Sequence, residues 1–265
     1  MKKPSAKPKK SHIINTPSNL ETSFFKRPAE LSRFVQSIRF NKSEILPPIT
    51  GPVGSGKRTL ALQFIQEYQH YYDFIFWIPA AAQRELSLAY QKIAKTLNID
   101  TPSHSLSALT ASIQTQLSHC QSLYIFNEAT SFTVIQPYLP GHGHTIVISP
   151  NSSPTAWPRH PFHIASLSQE EISQLFAYYG KDSLISTQAF RSFLPLMPPY
   201  PMAVVYTLKL MKCHNFTLEG LLATIKAKPE LFWALSKNAE ACSHYYQFIR
   251  HLLDLFSAKN RSPSK

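Results

Sequence analysis

Residues 51–60 read GPVGSGKRTL, and this stretch decides the fold that we predict for the chain. Its first seven residues match the phosphate-binding loop pattern G-x-x-x-x-G-K. Glycines, which have no side chain, let successive backbone N–H groups turn toward phosphate oxygens at the start of a helix. The chain has only seven glycines, so three within six residues are a specific signal. The predicted phosphate contacts are Gly51, Gly54, Ser55, Gly56 and Lys57.

The residue after the lysine departs from the pattern. Such loops carry a Ser or Thr there to hold Mg²⁺, whereas this chain has Arg58 followed by Thr59. A guanidinium would put a permanent cation beside the β-phosphate, about where the metal would lie. We therefore expect Arg58 to bind phosphate oxygens. The alternative is that Arg58 points to solvent and Thr59 partly replaces the missing hydroxyl, and the use of Mg²⁺ stays open.

The second half of such a site is an apolar strand that ends in an acid, and SLYIFNEAT at 122–130 fits this description. Glu128 is the candidate catalytic residue, because a carboxylate there can polarise the attacking water. Asn127 stands where an Asp normally holds Mg²⁺ through water. We expect the neutral Asn127 to leave the guanidinium of Arg58 free for phosphate, since an Asp would pair with it.

Three short apolar runs predict the strands of a sheet. Their apolarity is continuous rather than alternating, which is typical of parallel strands buried on both faces. Segments with helical periodicity separate them, so the predicted fold is a doubly wound parallel α/β sheet. Before the loop, prolines in EILPPIT leave room for only a short strand. These segments lie at 44–50, 74–78, 123–126 and 145–148.

Strand signals stop after about residue 160, and a smaller all-helical domain is predicted to follow. LSQEEISQLFAYYG at 167–180 begins with Ser168 and Glu171 in capping-box spacing and ends on Gly180. Further helices are expected at 187–194, 201–212, 217–227 and 238–257. The predicted organisation is a disordered basic tail at 1–22, an α/β domain at 23–160, a helical lid domain at 161–258 and a basic tail at 259–265.

The net charge of +12 is concentrated at the two ends of the chain. Residues 1–10 hold five lysines, residues 259–265 hold three basic residues, and neither segment has an acid. Such ends can contact nucleic acid or an anionic membrane, although a solvated tail is the more common case. A protein partner or self-association is also expected.

Compartment and membrane signals are weak. The three cysteines are widely spaced and form no C-x-x-C pair, which favours a reducing, cytoplasmic setting. No apolar run follows the basic start, so a secretion signal is not expected. The most apolar stretch, at 193–211, contains four prolines and Lys209, which argues against a transmembrane segment.

Two histidines in GHGHT at 141–145 alternate and could ligate a metal. A solvated loop before a strand is the simpler interpretation of His142 and His144. We predict no metal site.

The ordered set of motifs resembles the STAND class of P-loop NTPases, in particular the nucleotide-binding module of the NB-ARC type, over about residues 23–228. FFKRPAEL at 24–31 is similar to the family's F-x-G-R-x-x-E-L lead-in, with Arg27 on the Arg. PPYPMAVV at 198–205 resembles the G-L-P-L-A element, whose proline packs near the adenine, here Pro201. In place of the phosphate-sensing TTR, this chain reads ISP at 148–150.

The resemblance implies a switch or scaffold that binds ADP or ATP and hydrolyses it slowly or not at all. Two alternatives stay open. An AAA+ type ATPase would also use GPVGSGK with Glu128 as the base, but the second domain offers no clear arginine sensor apart from the weak candidate Arg191. A non-enzymatic nucleic-acid-binding or interaction protein on a decayed NTPase fold would instead rely on the basic tails.

Overall fold

A computed structural model gives the fold of the chain and describes residues 12–14, 24–38, 43–99, 105–150, 153–179, 187–214 and 217–227. The chain divides into two compact units, Met1–Gly51 with Lys57–Ile164, and Pro52–Gly56 with Ala165–Lys265. The predicted helix at 238–257, Gly180 and the basic segments at 1–10 and 259–265 lie outside the described residues.

The first unit is built on a parallel sheet in the order β1-β4-β5-β6-β3-β7, with β2 also pairing with β6. Among the described residues, the six strand pairings are parallel. The predicted parallel α/β sheet is thereby confirmed. The strands are β1 His12–Ile14, β2 Ser43–Ile45, β3 Ile49–Thr50, β4 Phe74–Pro79, β5 Ser122–Asn127, β6 Gly143–Ile148 and β7 Phe162–His163.

Helices cover both faces of this sheet, so neighbouring residues of each central strand enter different hydrophobic layers. On β4, Ile75 and Trp77 pack in the layer of α1 and α2, whereas Phe76 and Ile78 pack in the layer of α3 and α4. This explains the continuous apolarity of the strands. The helices of the first unit are α1 Pro28–Gln36, α2 Lys57–Tyr68, α3 Gln83–Thr96, α4 Leu106–Gln116 and α5 Phe132–Ile135.

The proline-containing strand is divided into two short pieces. β2 and β3 both pair with β6, and the prolines at 47 and 48 lie between them. Proline has no N–H to donate to a sheet. The short β3 then ends directly at Gly51, where the phosphate-binding loop begins.

Two predictions about the limits of the sheet are wrong. β7 lies beyond residue 160, where strand signals were expected to have ended, and it pairs with β3. β1 lies inside the segment predicted to be a disordered tail at 1–22, and it pairs with Phe74–Phe76 of β4. Strands of two or three residues are too short to give a periodic pattern, and the charge of the first ten residues hid the apolar pair Ile13 and Ile14.

The second unit is helical in its described part. α6 begins with the predicted capping box, because the Ser168 hydroxyl accepts from the Glu171 N–H at 3.1 Å and the Glu171 carboxylate accepts from the Ser168 N–H at 2.9 Å. Leu167 and Ile172, placed as a hydrophobic staple, are both buried. The helices are α6 Gln169–Tyr178, α7 Gln188–Phe193, α8 Pro201–His214 and α9 Leu218–Ala227.

The apolar, proline-rich stretch at 193–211 is divided between the end of α7, a loop and α8. Within the described part of the chain, no helix combines the length and the apolarity that a membrane span requires.

Candidate nucleotide-binding site

The loop at 51–57 connects β3 to α2, as the phosphate-binding motif requires. Gly51, Gly54 and Gly56 have positive φ angles of 142°, 81° and 96°. Residues with a side chain rarely adopt these angles, so the three glycines allow the chain to fold back on itself just before the helix. α2 then begins at Lys57, with its N-terminal backbone N–H groups at the end of the loop.

The two polar side chains of the loop differ in their contacts. Lys57 Nζ donates to the Gly51 carbonyl at 2.7 Å. The Ser55 N–H donates to the Pro52 carbonyl at 3.3 Å. The Ser55 hydroxyl is buried, and among the described residues it has no hydrogen-bond partner. Burying a hydroxyl without a partner is costly, so a ligand oxygen or a water at this loop would satisfy it.

Arg58 reaches from the first turn of α2 to the carboxyl end of β5. Its Nε donates to Oδ1 of Asn127 at 3.0 Å, and its Nη2 forms an ion pair and hydrogen bond with the Glu128 carboxylate. The expectation that a neutral Asn127 leaves the guanidinium free is therefore wrong. The amide oxygen of Asn127 accepts from it, and the next residue supplies the carboxylate that position 127 lacks.

Asn127 and Glu128 differ in their surroundings although they are adjacent. Asn127 is buried as the last residue of β5, between Pro79 of β4 and Ile148 of β6. Glu128 is half-exposed, and its φ of +67° lies in the left-handed region. That region is unusual for a residue other than glycine, asparagine or aspartate, and such outliers cluster at functional sites.

Thr59 is partly buried in the first turn of α2. Arg27, from the lead-in segment, directly precedes α1 and is largely buried. Its N–H donates to Oε1 of Gln63 on α2 at 3.0 Å, which connects the lead-in to the helix of the loop. Sequence reasoning missed Gln63, although a glutamine on the apolar side of a helix is the signal that could have identified it.

Pro201 is the first residue of α8, a position that suits proline because its missing N–H would have no partner within the helix. Within the second unit, the N–H of the next residue, Met202, donates to the Gly54 carbonyl at 3.2 Å. The N-terminus of α8 thus contacts the phosphate-binding loop.

Of the two histidines of GHGHT, His142 lies before β6 and is partly exposed, as expected for a loop, whereas His144 lies within the strand. His144 is buried in β6, with Nδ1 at 2.9 Å from the Tyr72 hydroxyl, and burial raises the pKa of that tyrosine. His142 Nδ1 lies 3.1 Å from the Cys120 carbonyl. The described residues contain no group of three His, Cys, Asp or Glu side chains placed to hold a metal ion.

The first unit has the fold of a P-loop NTPase, in which a parallel strand flanked on both sides leads through the loop into a helix. No family model matches the chain, and no curated protein matches it.

Solved structures are similar to this chain at low sequence identity. Cdc6p from Pyrobaculum aerophilum is 12% identical with a TM-score of 0.47 over 74% of this chain and 63% of that one. The Aeropyrum pernix ORC2 protein in its ADPNP–ADP complexes is 11% identical with a TM-score of 0.47 over 71% and 61%. AMPPCP-bound DnaA from Aquifex aeolicus is 14% identical with a TM-score of 0.46 over 80% and 69%. This chain thus spans less than two thirds of the Cdc6p and ORC2 chains.

Proposed function

We propose that this chain is a nucleotide-binding switch or scaffold protein that holds ADP or ATP at the loop 51–57 and hydrolyses it slowly or not at all. The observation that carries the proposal is the loop itself. Three glycines at positive φ lead from a parallel strand into a helix that begins with Lys57. This arrangement presents backbone N–H groups, a helix N-terminus and an ammonium group to the phosphates of a nucleotide.

Weak hydrolysis follows from the two positions that hold Mg²⁺ in such loops, which in this chain are Arg58 and Asn127. Asn127 supplies no charge that would hold a metal beside the β- and γ-phosphates. We expect turnover well below the ~1 s⁻¹ at the low end of ordinary enzymes.

The NB-ARC-like interpretation is the finer part of the proposal. It is supported by Arg27, which lies next to α1 with its N–H on Gln63 of the loop helix, and by Pro201, whose neighbour Met202 contacts Gly54. In this interpretation the helical unit acts as the lid, and a protein partner or a second copy of the chain recognises the nucleotide state. The basic ends would add affinity for nucleic acid or an anionic membrane.

An AAA+ type ATPase is the second candidate, and the position of Glu128 directly after β5 favours it. Turnover faster than ~1 s⁻¹ that is lost in Glu128→Gln would establish this alternative.

Replacement of Lys57 tests nucleotide binding at the loop. Lys57→Ala removes the ammonium from a fixed helix terminus, and we expect it to weaken ADP or ATP binding by about 2–4 kcal/mol, as for loss of one partner of a desolvated charge pair. Isothermal titration calorimetry measures the change. Lys92→Ala, an exposed lysine on α3, is the matched control and should leave the affinity unaltered. Equal affinities of the Lys57→Ala and Lys92→Ala proteins would reject the loop assignment.

A further inference from the structure

We propose that Arg58 is the resident counter-charge of the phosphate site, in place of a divalent metal, and that Asn127 and Glu128 hold it aside until a nucleotide binds. This inference rests on the proposed function, because it concerns how the loop 51–57 takes up its nucleotide. It adds a regulatory role for Glu128 that is opposite to the role of a catalytic base.

The residues at the carboxyl end of β5 do not fit Mg²⁺. Hard divalent cations need several oxygen ligands, and phosphate-binding loops supply them from a hydroxyl after the lysine and from a carboxylate at the strand end. Here those two positions are Arg58 and Asn127. The only side-chain oxygen of Asn127 already accepts from Arg58 at 3.0 Å, and the guanidinium would repel a second cation placed there.

Arg58 is placed to perform the electrostatic part of the metal's task. It directly follows Lys57, and its side chain extends across the gap between the first turn of α2 and the end of β5. A guanidinium is always charged, and its planar set of N–H donors matches two oxygens of a phosphate. Moving this group from Glu128 to a phosphate exchanges one anionic partner for another and requires no proton transfer.

The contacts that hold Arg58 aside are of a kind that a nucleotide can displace. The side chains of Arg58 and Glu128 are 57% and 52% exposed. Ion pairs at such exposed positions contribute little, since water and salt screen them. A diphosphate or triphosphate carries more negative charge than one carboxylate, so it should displace Glu128 as the partner of the Arg58 guanidinium. Asn127 is neutral and directs Nε without adding a competing charge.

The backbone at Glu128 supports a role for this residue beyond solvation of the surface. A glutamate with φ of +67° is strained, and glycine or asparagine would adopt that angle more easily. The strained conformation gives the Arg58 guanidinium its carboxylate partner immediately after the sheet. Because glutamine has the same backbone preferences as glutamate here, Glu128→Gln removes the charge alone.

The consequence is that Glu128 opposes nucleotide binding. Removing its charge should tighten ADP binding by about two- to fivefold at low salt, the range of an exposed ion pair. The effect should shrink as salt is raised, because screening already weakens the pair. Arg58→Gln should weaken ADP binding instead, since the phosphate loses a charged partner.

The experiment compares ADP affinity of the full chain and its variants by calorimetry in the presence of a chelator. Glu67→Gln is the matched control, because it removes the same charge from an exposed ion pair with Lys26, at the far end of the same helix α2. Support is tighter binding by Glu128→Gln, unchanged binding by Glu67→Gln and weaker binding by Arg58→Gln. A second readout uses Arg58→Thr with Asn127→Asp, which should create a Mg²⁺ requirement that the unmodified protein lacks.

The outcomes separate this inference from the function on which it rests. If Lys57→Ala weakens ADP binding but Glu128→Gln leaves it unchanged or weaker, nucleotide binding stands and the role of Glu128 is overturned. If the unmodified protein binds neither ADP nor ATP, the proposed function itself fails.

Discussion

At the scale of single residues, Gly143 shows how closely β5 and β6 approach. A Cβ atom at this position would lie 2.1 Å from the Ser122 carbonyl oxygen, and φ is +114°. Both the close contact and the backbone angle exclude a side chain. The neighbouring Gly141 has no atom within 4 Å of such a Cβ, so the two glycines of GHGHT have different requirements.

Gly143→Ala should therefore lower the free energy of unfolding by about 2–4 kcal/mol, from the strained angle and the displacement of a backbone strand. Gly141→Ala is the matched control and should change it by no more than about 0.5 kcal/mol. Urea unfolding followed by tryptophan fluorescence measures both values. Similar losses of unfolding free energy in the two variants would show that the close approach of Gly143 to Ser122 does not determine the effect of the substitution.

Arg58 illustrates which features of a site can be predicted from the sequence at the scale of single residues and which cannot. The motif located the departure from the metal-binding pattern, because the positions of the loop are fixed relative to Lys57. It could not give the partner of the guanidinium, since the Glu128 carboxylate lies 70 residues away along the chain and takes its direction from a backbone angle that only the structure shows. The expectation that Asn127 leaves the guanidinium free failed for the same reason.

At the scale of elements, predictability followed length and patterning. The central strands β4, β5 and β6 are buried on both faces, so their continuous apolar runs identified them. α6 was predicted from its first turn because a capping box specifies particular residue types three positions apart. β1 and β7 were missed, since two or three residues carry no periodic signal and their strand structure depends on pairing with β4 and β3.

The two prolines before the loop had a further effect at this scale. They prevent a continuous ladder with β6, and the strand is consequently split into β2 and β3. The site depends on β3 alone, because only that piece leads into Gly51. A two-residue strand suffices there because β6 and β7 pair with it on opposite sides.

At the scale of the whole molecule, buried tyrosines set a limit to stability in alkali. Burial raises the pKa of Tyr72, Tyr90 and Tyr124 above the ordinary value of 10.0, and the neighbouring hydroxyls add to the effect at Tyr90. The folded state then holds these protons at a pH where the unfolded chain has lost them. The contribution of these tyrosines to the free energy of unfolding is complete below about pH 10. It is lost as the pH rises through their folded-state pKa values.

We therefore expect the free energy of unfolding to be steady from neutral pH to about pH 9. It should then fall by up to about 1.4 kcal/mol per pH unit for each of the three tyrosines. Urea titrations at increasing pH, with tyrosinate absorbance recorded in parallel, measure this. Ionisation of the buried tyrosines should coincide with unfolding. Complete ionisation in a chain that keeps its circular dichroism spectrum would contradict the burial of these hydroxyls.

The central claim is that the loop 51–57 binds a nucleotide with Arg58 in place of a metal. Calorimetric titration of the unmodified full chain with ADP, once in excess chelator and once in millimolar Mg²⁺, tests it most directly. The structure predicts saturable binding with dissociation constants that agree within about twofold, because no step of binding depends on a metal ligand. Binding that appears only when Mg²⁺ is present would contradict the claim.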